Sequence, residues 1–328
     1  MIKIDIDETI VNNFYNGVKE YIGRHLFVSN QEKDYFTDKK IEEIIKCEID
    51  NFQKIIDEIN SLGLNQDLIK KAFVGDENDK FGYKKFTIKA KTKYRAYNLS
   101  EALNIDVCSY CNKNYTYTIV NKTHQYTRPD FDHFLAKEKY PYFAMSFYNL
   151  IPSCQVCNRT LKLRKEFSLT SHLHPYKDDF NSIKKFTTTK PLLLCNNEKD
   201  FEIKFKDKSK DKLLLKKANK NIEDFALPLQ YNKHKDIVLE LKDRYDLYND
   251  DSIKNILKDT KVFKEKGEEY IKSPDFVAFL IKKVRIPIIK ALRLFLSHFW
   301  VTHVIIVHVC KKKNKLKWLN KCPNFRKN

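Results

Sequence analysis

Two C-x-x-C pairs, Cys108/Cys111 and Cys154/Cys157, constrain this chain more than any other feature of it. Four thiolates in two such pairs are the donor set that tetrahedral zinc takes in structural sites. Closing such a site pins the two ends of the intervening segment together and fixes the geometry of what lies between. That segment carries Asp130, Asp132, His133 and Asn149, and Asn158 follows the second pair directly. These are hard-metal ligands, a base that titrates near neutral pH, and amide partners. A disulfide framework is the other use of eight cysteines. However, residues 1–7 alternate charge with isoleucine and form no apolar secretory run, so the expectation is a cytoplasmic, reducing setting in which paired C-x-x-C binds metal. Cys47, Cys195, Cys310 and Cys322 lack the spacing and read as ordinary thiols.

Length and charge narrow the partner. A chain of 328 residues can bury a large core and hold two or three domains. Its net charge of +19 points to a polyanion, since cations that release counterions bind nucleic acid. Lysine-rich coding is the alternative source of that charge.

The run D-F-D-H-F-L-A-K-E-K-Y-P (130–141), followed by S-F-Y-N-L-I-P-S-C-Q-V-C-N (146–158), resembles the HNH, or ββα-metal, endonucleases. It is most similar to the subgroup found among nucleases of Septu-type and retron-associated antiphage systems. The resemblance covers residues 105–180, about a quarter of the chain. It implies an α+β fold, mainly helical, with a central ββα-metal unit braced by a four-cysteine zinc site. It also implies cleavage of phosphodiester bonds, with DNA as the expected substrate, and a separate partner ATPase, because no Walker A pattern occurs here. Ala136 replaces the subgroup's usual proline, and N-R-T-L-K-L-R-K replaces its usual helix exit.

Read in order, residues 1–100 form a helical region. A stripe from Ile41 to Ile59 predicts one amphipathic helix over 38–62, capped by Asp38 and stopped by Gly63; a second helix runs from Gln66 to Val74. In the basic segment 80–95, Phe81, Tyr83, Phe86 and Tyr94 interleave with cations, and Tyr97 follows. It reads either as an amphipathic hairpin or as a track that stacks bases.

Residues 101–185 form the zinc-braced unit. Its expected parts are a strand at 115–120, the first hairpin strand at 131–135, a short helical insert at 141–148, the second strand at 150–153, and a helix from Cys154 to Lys165 capped by Ser153.

Residues 186–310 read as mixed and mostly helical, with strand-like runs at 201–205 and 213–215 and a charged helix over 231–248 extending to about residue 269. The apolar block 274–310 reads as buried helix or strand. Its cleaner part, 294–309, is shorter than the ~20 residues a membrane span needs, and His298, His303 and His308 share no helical face. Residues 311–328 carry eight basic residues and no acid, a basic tail.

The chemistry places His133 as the general base that takes a proton from water. By resemblance, Asp132 and Asn158 hold Mg2+ or Mn2+, and Asn149 orients His133 through its side-chain carbonyl. Asp130 is a possible further ligand and His174, in H-P-Y-K, a possible late site residue. Lys162 and Lys165 are candidate nucleic-acid contacts. A zinc-stabilised binding or scaffolding module without cleavage is the rival reading.

Overall fold

The structure is a computed structural model that describes residues 1–247 apart from 76, 77, 79, 91 and 92. The apolar block 274–310, its three histidines, Cys310, Cys322 and the basic tail lie outside the described residues.

Caps and helical periodicity build the N-terminal part. Seven helices run in order: α1 (Glu8–Val18), α2 (Asn30–Tyr35), α3 (Asp38–Ile45), α4 (Phe52–Leu62), α5 (Gln66–Phe73), α6 (Gly82–Thr87) and α7 (Ala96–Leu103). The Asp7 carboxylate accepts from the N–H of Thr9 at the start of α1, and Ser29 with Glu32 closes a capping box on α2. The helix predicted over 38–62 is two helices, and its cap is Thr37 instead of Asp38. The break at 46–48 has a simple cause. A continuous helix would carry Glu48 on the stripe of Ile41, Ile45 and Phe52, whereas the interruption buries Cys47 and turns Glu48 to solvent. Gly63 stops α4 in the left-handed conformation at φ 60°, as expected.

In the aromatic segment 80–95 the helix α6 stands where a hairpin was the expectation. Phe86 and Tyr97 are buried, and Phe14 of α1 packs edge-on against Phe86, Tyr94 and Phe147 with centroids 5.7, 6.2 and 5.6 Å away. Gly17 permits this approach, since a Cβ there would stand 2.2 Å from the Tyr94 ring. Gly82 lets α6 start against the end of α5: its φ is +58°, and a Cβ would meet the Phe73 carbonyl oxygen at 2.3 Å.

The fold is α+β with three small antiparallel sheets among the described residues. These pair β1 (Ile119–Val120) with β2 (Gln125–Thr127), β3 (Asp130–His133) with β4 (Leu150–Ser153), and β5 (Lys184–Thr188) with β6 (Ile203–Asp207). The insert between β3 and β4 is two 3-10 turns, Pro141–Met145 and Phe147–Asn149. After β4 comes a π-helical segment, Val156–Lys162, where an α-helix over 154–165 was expected; the N–H of Leu163 bonds the carbonyl of Asn158. Ser153 does not cap it and instead donates to the carbonyl of Asp130.

Four more helices follow: α8 (Phe180–Ile183), α9 (Lys212–Asp224), α10 (Leu227–Tyr231) and α11 (Lys235–Leu247). The run 213–215, read as strand-like, lies in α9, because Asp211 caps the N–H groups of Leu213 and Leu214 and commits the leucines to a helix. The chain divides into two compact units, 1–190 with 198–236, and 191–197 with 237–328. The first holds all three sheets and the four paired cysteines.

Candidate metal centre and the hairpin beside it

The sulfurs of Cys108, Cys111, Cys154 and Cys157 all lie within 4.8 Å of one another, and all four residues are buried. A tetrahedron of thiolates around a zinc ion at about 2.3 Å has edges of roughly 3.8 Å, so the cluster can hold a metal ion with little movement. The described cysteines are all free thiols. The Cys154 sulfur accepts from the Asn114 side-chain amide at 3.2 Å and from the N–H of Cys157 at 3.4 Å, bonds that favour a thiolate. Tyr231 of α10 donates to the carbonyl of Cys111 at 2.6 Å and locks the first knuckle from outside.

The cluster is wired to the β3–β4 hairpin. The N–H of Ser109 bonds the carbonyl of Pro152 in β4, and the Tyr110 hydroxyl donates to Asp132 Oδ2 at 2.5 Å. The middle of the first C-x-x-C therefore reaches both strands. β3 and β4 pair in regular register from Asp130↔Ser153 to His133↔Leu150, so Asp130 and Asp132 share one face and His133 points to the other.

On the first face the carboxylates are held by cations. Lys162 Nζ lies 2.9 and 2.7 Å from the two Asp132 oxygens and also bonds the carbonyls of His133 and Phe134. Asp132 is 6% exposed and Lys162 4%, so this is a buried ion pair. Asp130 takes a bidentate bond from Arg159, at 2.7 and 2.9 Å, and a further bond from the Asn158 amide nitrogen at 3.3 Å.

On the other face His133 Nε2 lies 3.0 Å from the carbonyl of Ala144. That carbonyl can only accept, so it fixes the tautomer with hydrogen on Nε2 and leaves Nδ1 with a lone pair. The Tyr83 ring covers the imidazole with centroids 4.4 Å apart, and its hydroxyl donates to the carbonyl of Phe131. Burial, with Lys137 and Lys162 acting in the same direction, outweighs the Ala144 bond and pushes the His133 pKa down to about 3. The ring is neutral at physiological pH.

Several expected roles change on this geometry. The Asn149 carbonyl accepts from the N–H of Leu135 at 2.7 Å, and its amide nitrogen donates to the carbonyls of Leu135 and Phe143; it clamps the insert, and the group that orients His133 is the Ala144 main chain. Lys162 is buried on Asp132 and cannot meet a phosphate backbone. Lys165 is ion-paired with Asp224 of α9 at 3.1 Å and bonds its carbonyl. His174 is fully buried, its ring 4.3 Å from that of Phe134 and its Nδ1 accepting from the N–H of Tyr176. Asp130 and Asn158 touch each other, but Asp132 and His133 diverge.

Tyr110, Tyr83, Arg159 and Asn114 are the partners that sequence reasoning missed. Tyr110 and Arg159 sit beside motif residues, in C-S-Y-C and C-N-R, and could have been marked for position alone; Tyr83, 50 residues before His133, was marked only as one of the aromatics among the cations of 80–95, with nothing to tie it to His133. Among the described residues no helix is long and apolar enough to cross a membrane. A scan against protein-family models, a search of curated proteins and a search of solved structures each return no match to this chain.

Proposed function

We propose that this chain is an HNH-type endonuclease that hydrolyses phosphodiester bonds in nucleic acid, with DNA as the first substrate to test. The observation that carries the reading is His133, neutral, held at one ring nitrogen by a main-chain carbonyl, and standing beside Asp132 at the end of a hairpin tied to a four-cysteine cluster. The order of strand, strand and helical segment, with Asn158 on the last, is the order that the motif resemblance implies. Zinc is the ion we assign to the cysteines, since four thiolates and no oxygen ligand select it.

A divalent hard cation on Asp132 and Asn158 does not fit these two residues as arranged. The Asp132 oxygens already accept from Lys162 and Tyr110, so a cation there would have to displace a buried ammonium, and the Asn158 side chain is turned to Asp130 instead of Asp132. The steps assigned here therefore belong to side chains. Once the half-buried Tyr83 ring has moved aside and solvent has relieved the burial that lowers its basicity, Nδ1 of His133 takes the proton of the attacking water, with Ala144 holding the ring in the tautomer that can do so. As the water oxygen bonds phosphorus, the bond to the leaving sugar oxygen breaks and that oxygen takes a proton from solvent. Arg159, exposed on the opposite face, is paired with Asp130 and is assigned no step. A separate ATPase is the partner we propose from the resemblance.

The same saturated carboxylates favour the second reading, a zinc-stabilised nucleic-acid-binding module that does not cut. Plasmid nicking separates the two, run with Mg2+, with Mn2+ and without added ion, on the chain alone and on any complex that co-purifies with it. The enzyme reading expects nicking that drops by about 100-fold or more in His133→Ala. Equal cleavage by both proteins, or none by either, leaves the binding module.

A further inference from the structure

The exposed aromatics of this protein lie where the sequence reading did not look. Tyr115 and Tyr117 are stacked, with ring centroids 4.5 Å apart and planes 21° from parallel, and they are 40% and 42% exposed. Ile119 continues the row, and Tyr126, 57% exposed, stands on the neighbouring strand. The residues between them face inward and are tied down. Thr116 bonds both the N–H side and the hydroxyl side to the carbonyls of Asp106 and Ile105, and the Thr118 hydroxyl pairs with Ser100 of α7. The row is thus a fixed ledge that starts at the metal knuckle: the N–H of Cys108 bonds the carbonyl of Asn114, and Val107 bridges Tyr115.

An exposed, paired set of tyrosine rings has a cost in water, and it is uncommon for one to be fixed in place with nothing against it. The surroundings indicate the occupant. Lys113 and the exposed Lys122 flank the ledge, and Arg128 follows β2 directly, with its guanidinium over the Tyr97 and Phe131 rings at 5.7 and 5.6 Å. Arg128 lies in the link between β2 and β3, so a cation stands between the ledge and the hairpin that holds Asp130 and His133, where Arg159 is paired with Asp130. Asp106, whose carbonyl accepts from the N–H of Thr116, is an acid at the same edge. A chain of net charge +19 presenting flat rings beside cations matches a strand with phosphates along one side and free base faces along the other.

We propose that the Tyr115/Tyr117 ledge is a binding site for single-stranded nucleic acid, whose unpaired bases stack on the two rings and whose backbone follows Lys122 and Arg128 toward the hairpin. In a duplex the base faces are already stacked on one another, so the ledge selects single strands. This rests on the endonuclease reading only for what happens next to the bound strand; the binding itself does not need cleavage.

The test is fluorescence anisotropy on the full-length, zinc-loaded chain carrying His133→Ala, which removes the proposed cutting step from the measurement. Labelled single-stranded DNA, single-stranded RNA of the same sequence and the matching DNA duplex are titrated at two salt concentrations. The expected result is single strands bound at least about tenfold more tightly than duplex. Tyr115→Ala with Tyr117→Ala should weaken single-strand binding by about tenfold or more and leave duplex binding within twofold, while Tyr115→Phe with Tyr117→Phe should retain it. The DNA and RNA arms decide which sugar is preferred.

Absence of single-strand binding by the parent protein, or unchanged affinity in the double alanine variant, overturns the proposal. So does unchanged affinity accompanied by a lower unfolding midpoint, which would mean that the rings are covered by the protein itself. Nicking that persists in the otherwise unmodified chain bearing the double alanine change, with unchanged affinity, sinks the ledge and spares the nuclease. Binding that follows the expected pattern while no nicking is seen does the reverse.

Discussion

At the level of single residues, the Asp132–Lys162 pair carries the sharpest energetic consequence. Both side chains are almost without solvent, and the ammonium satisfies two carboxylate oxygens together with the carbonyls of His133 and Phe134. Removing one partner leaves the other charged and unhydrated, which costs about 3–5 kcal/mol, whereas removing both charges together is far milder. Lys162→Met should therefore destabilise the zinc-loaded protein by that amount, read as a fall in the urea midpoint. Adding Asp132→Asn to Lys162→Met should recover most of the loss, because the amide oxygen still accepts from Tyr110. A Lys162→Met protein as stable as the parent would show that the pair is solvated. Nothing in the linear sequence marks Lys162 as the partner of Asp132: 30 residues separate them, and a lysine in a chain with 62 basic residues reads first as surface.

Among the elements, those set by local chemistry were legible, and those set by packing were not. β4 falls at 150–153 as read, α4 stops at Gly63, and the four cysteines assemble, because turn chemistry, a left-handed glycine and the C-x-x-C spacing act over a few residues. The break at 46–48 and the π-helical segment depend on contacts that compete with the apolar pattern, whereas the helical 213–215 is an exception, since the local Asp211 cap that sets it was passed over for the apolar run. The site divides in the same way. His133, Asp132 and Asn158 were marked by their motif, but the alternation of a regular strand separates His133 from Asp132, and Asn149 turns its carboxamide to the insert. The knuckle, the hairpin and α10 are joined by the cysteine cluster and by the bonds of Tyr110, Ser109 and Tyr231. Structural zinc contributes roughly 10–16 kcal/mol, as much as a domain's whole stability, so its removal should unfold these elements together. We expect one zinc per chain by metal analysis, and loss of near-ultraviolet circular dichroism on chelation or in Cys157→Ser. A native spectrum in the metal-free protein would rule out this bracing.

Over the whole molecule, one aromatic core joins the N-terminal helices to the hairpin insert. Phe14 meets Phe147, and Phe52 lies 4.7 Å from Phe143 and 6.4 Å from His174. This core encloses titratable rings, and that makes global stability sensitive to pH. Burial pushes both His133 and His174 down to about 3 and lowers His172 as well. In the unfolded chain each titrates near 6.5. Between pH 6.5 and 3 the unfolded state therefore binds protons that the folded state refuses, so stability is fully present above pH 6.5 and declines as pH falls through that window. Each fully buried histidine contributes a slope of at most about 1.4 kcal/mol per pH unit, or about 2 kcal/mol between pH 7 and 5. Carboxylates such as Asp224 and Glu58, held below their unfolded values near 4, act in the same direction at the acid end of this window, below about pH 5. Protonation of the clustered cysteine thiolates acts in the same direction, so the histidine contribution is isolated by comparison with His174→Asn, which keeps an acceptor for the N–H of Tyr176 and cannot titrate. The variant's midpoint in urea should fall less between pH 7 and 5 than the parent's, by about 2 kcal/mol, whatever its stability at pH 7. Parallel pH profiles would mean that His174 is protonated in the folded protein and that the core around Phe52 and Phe134 admits water.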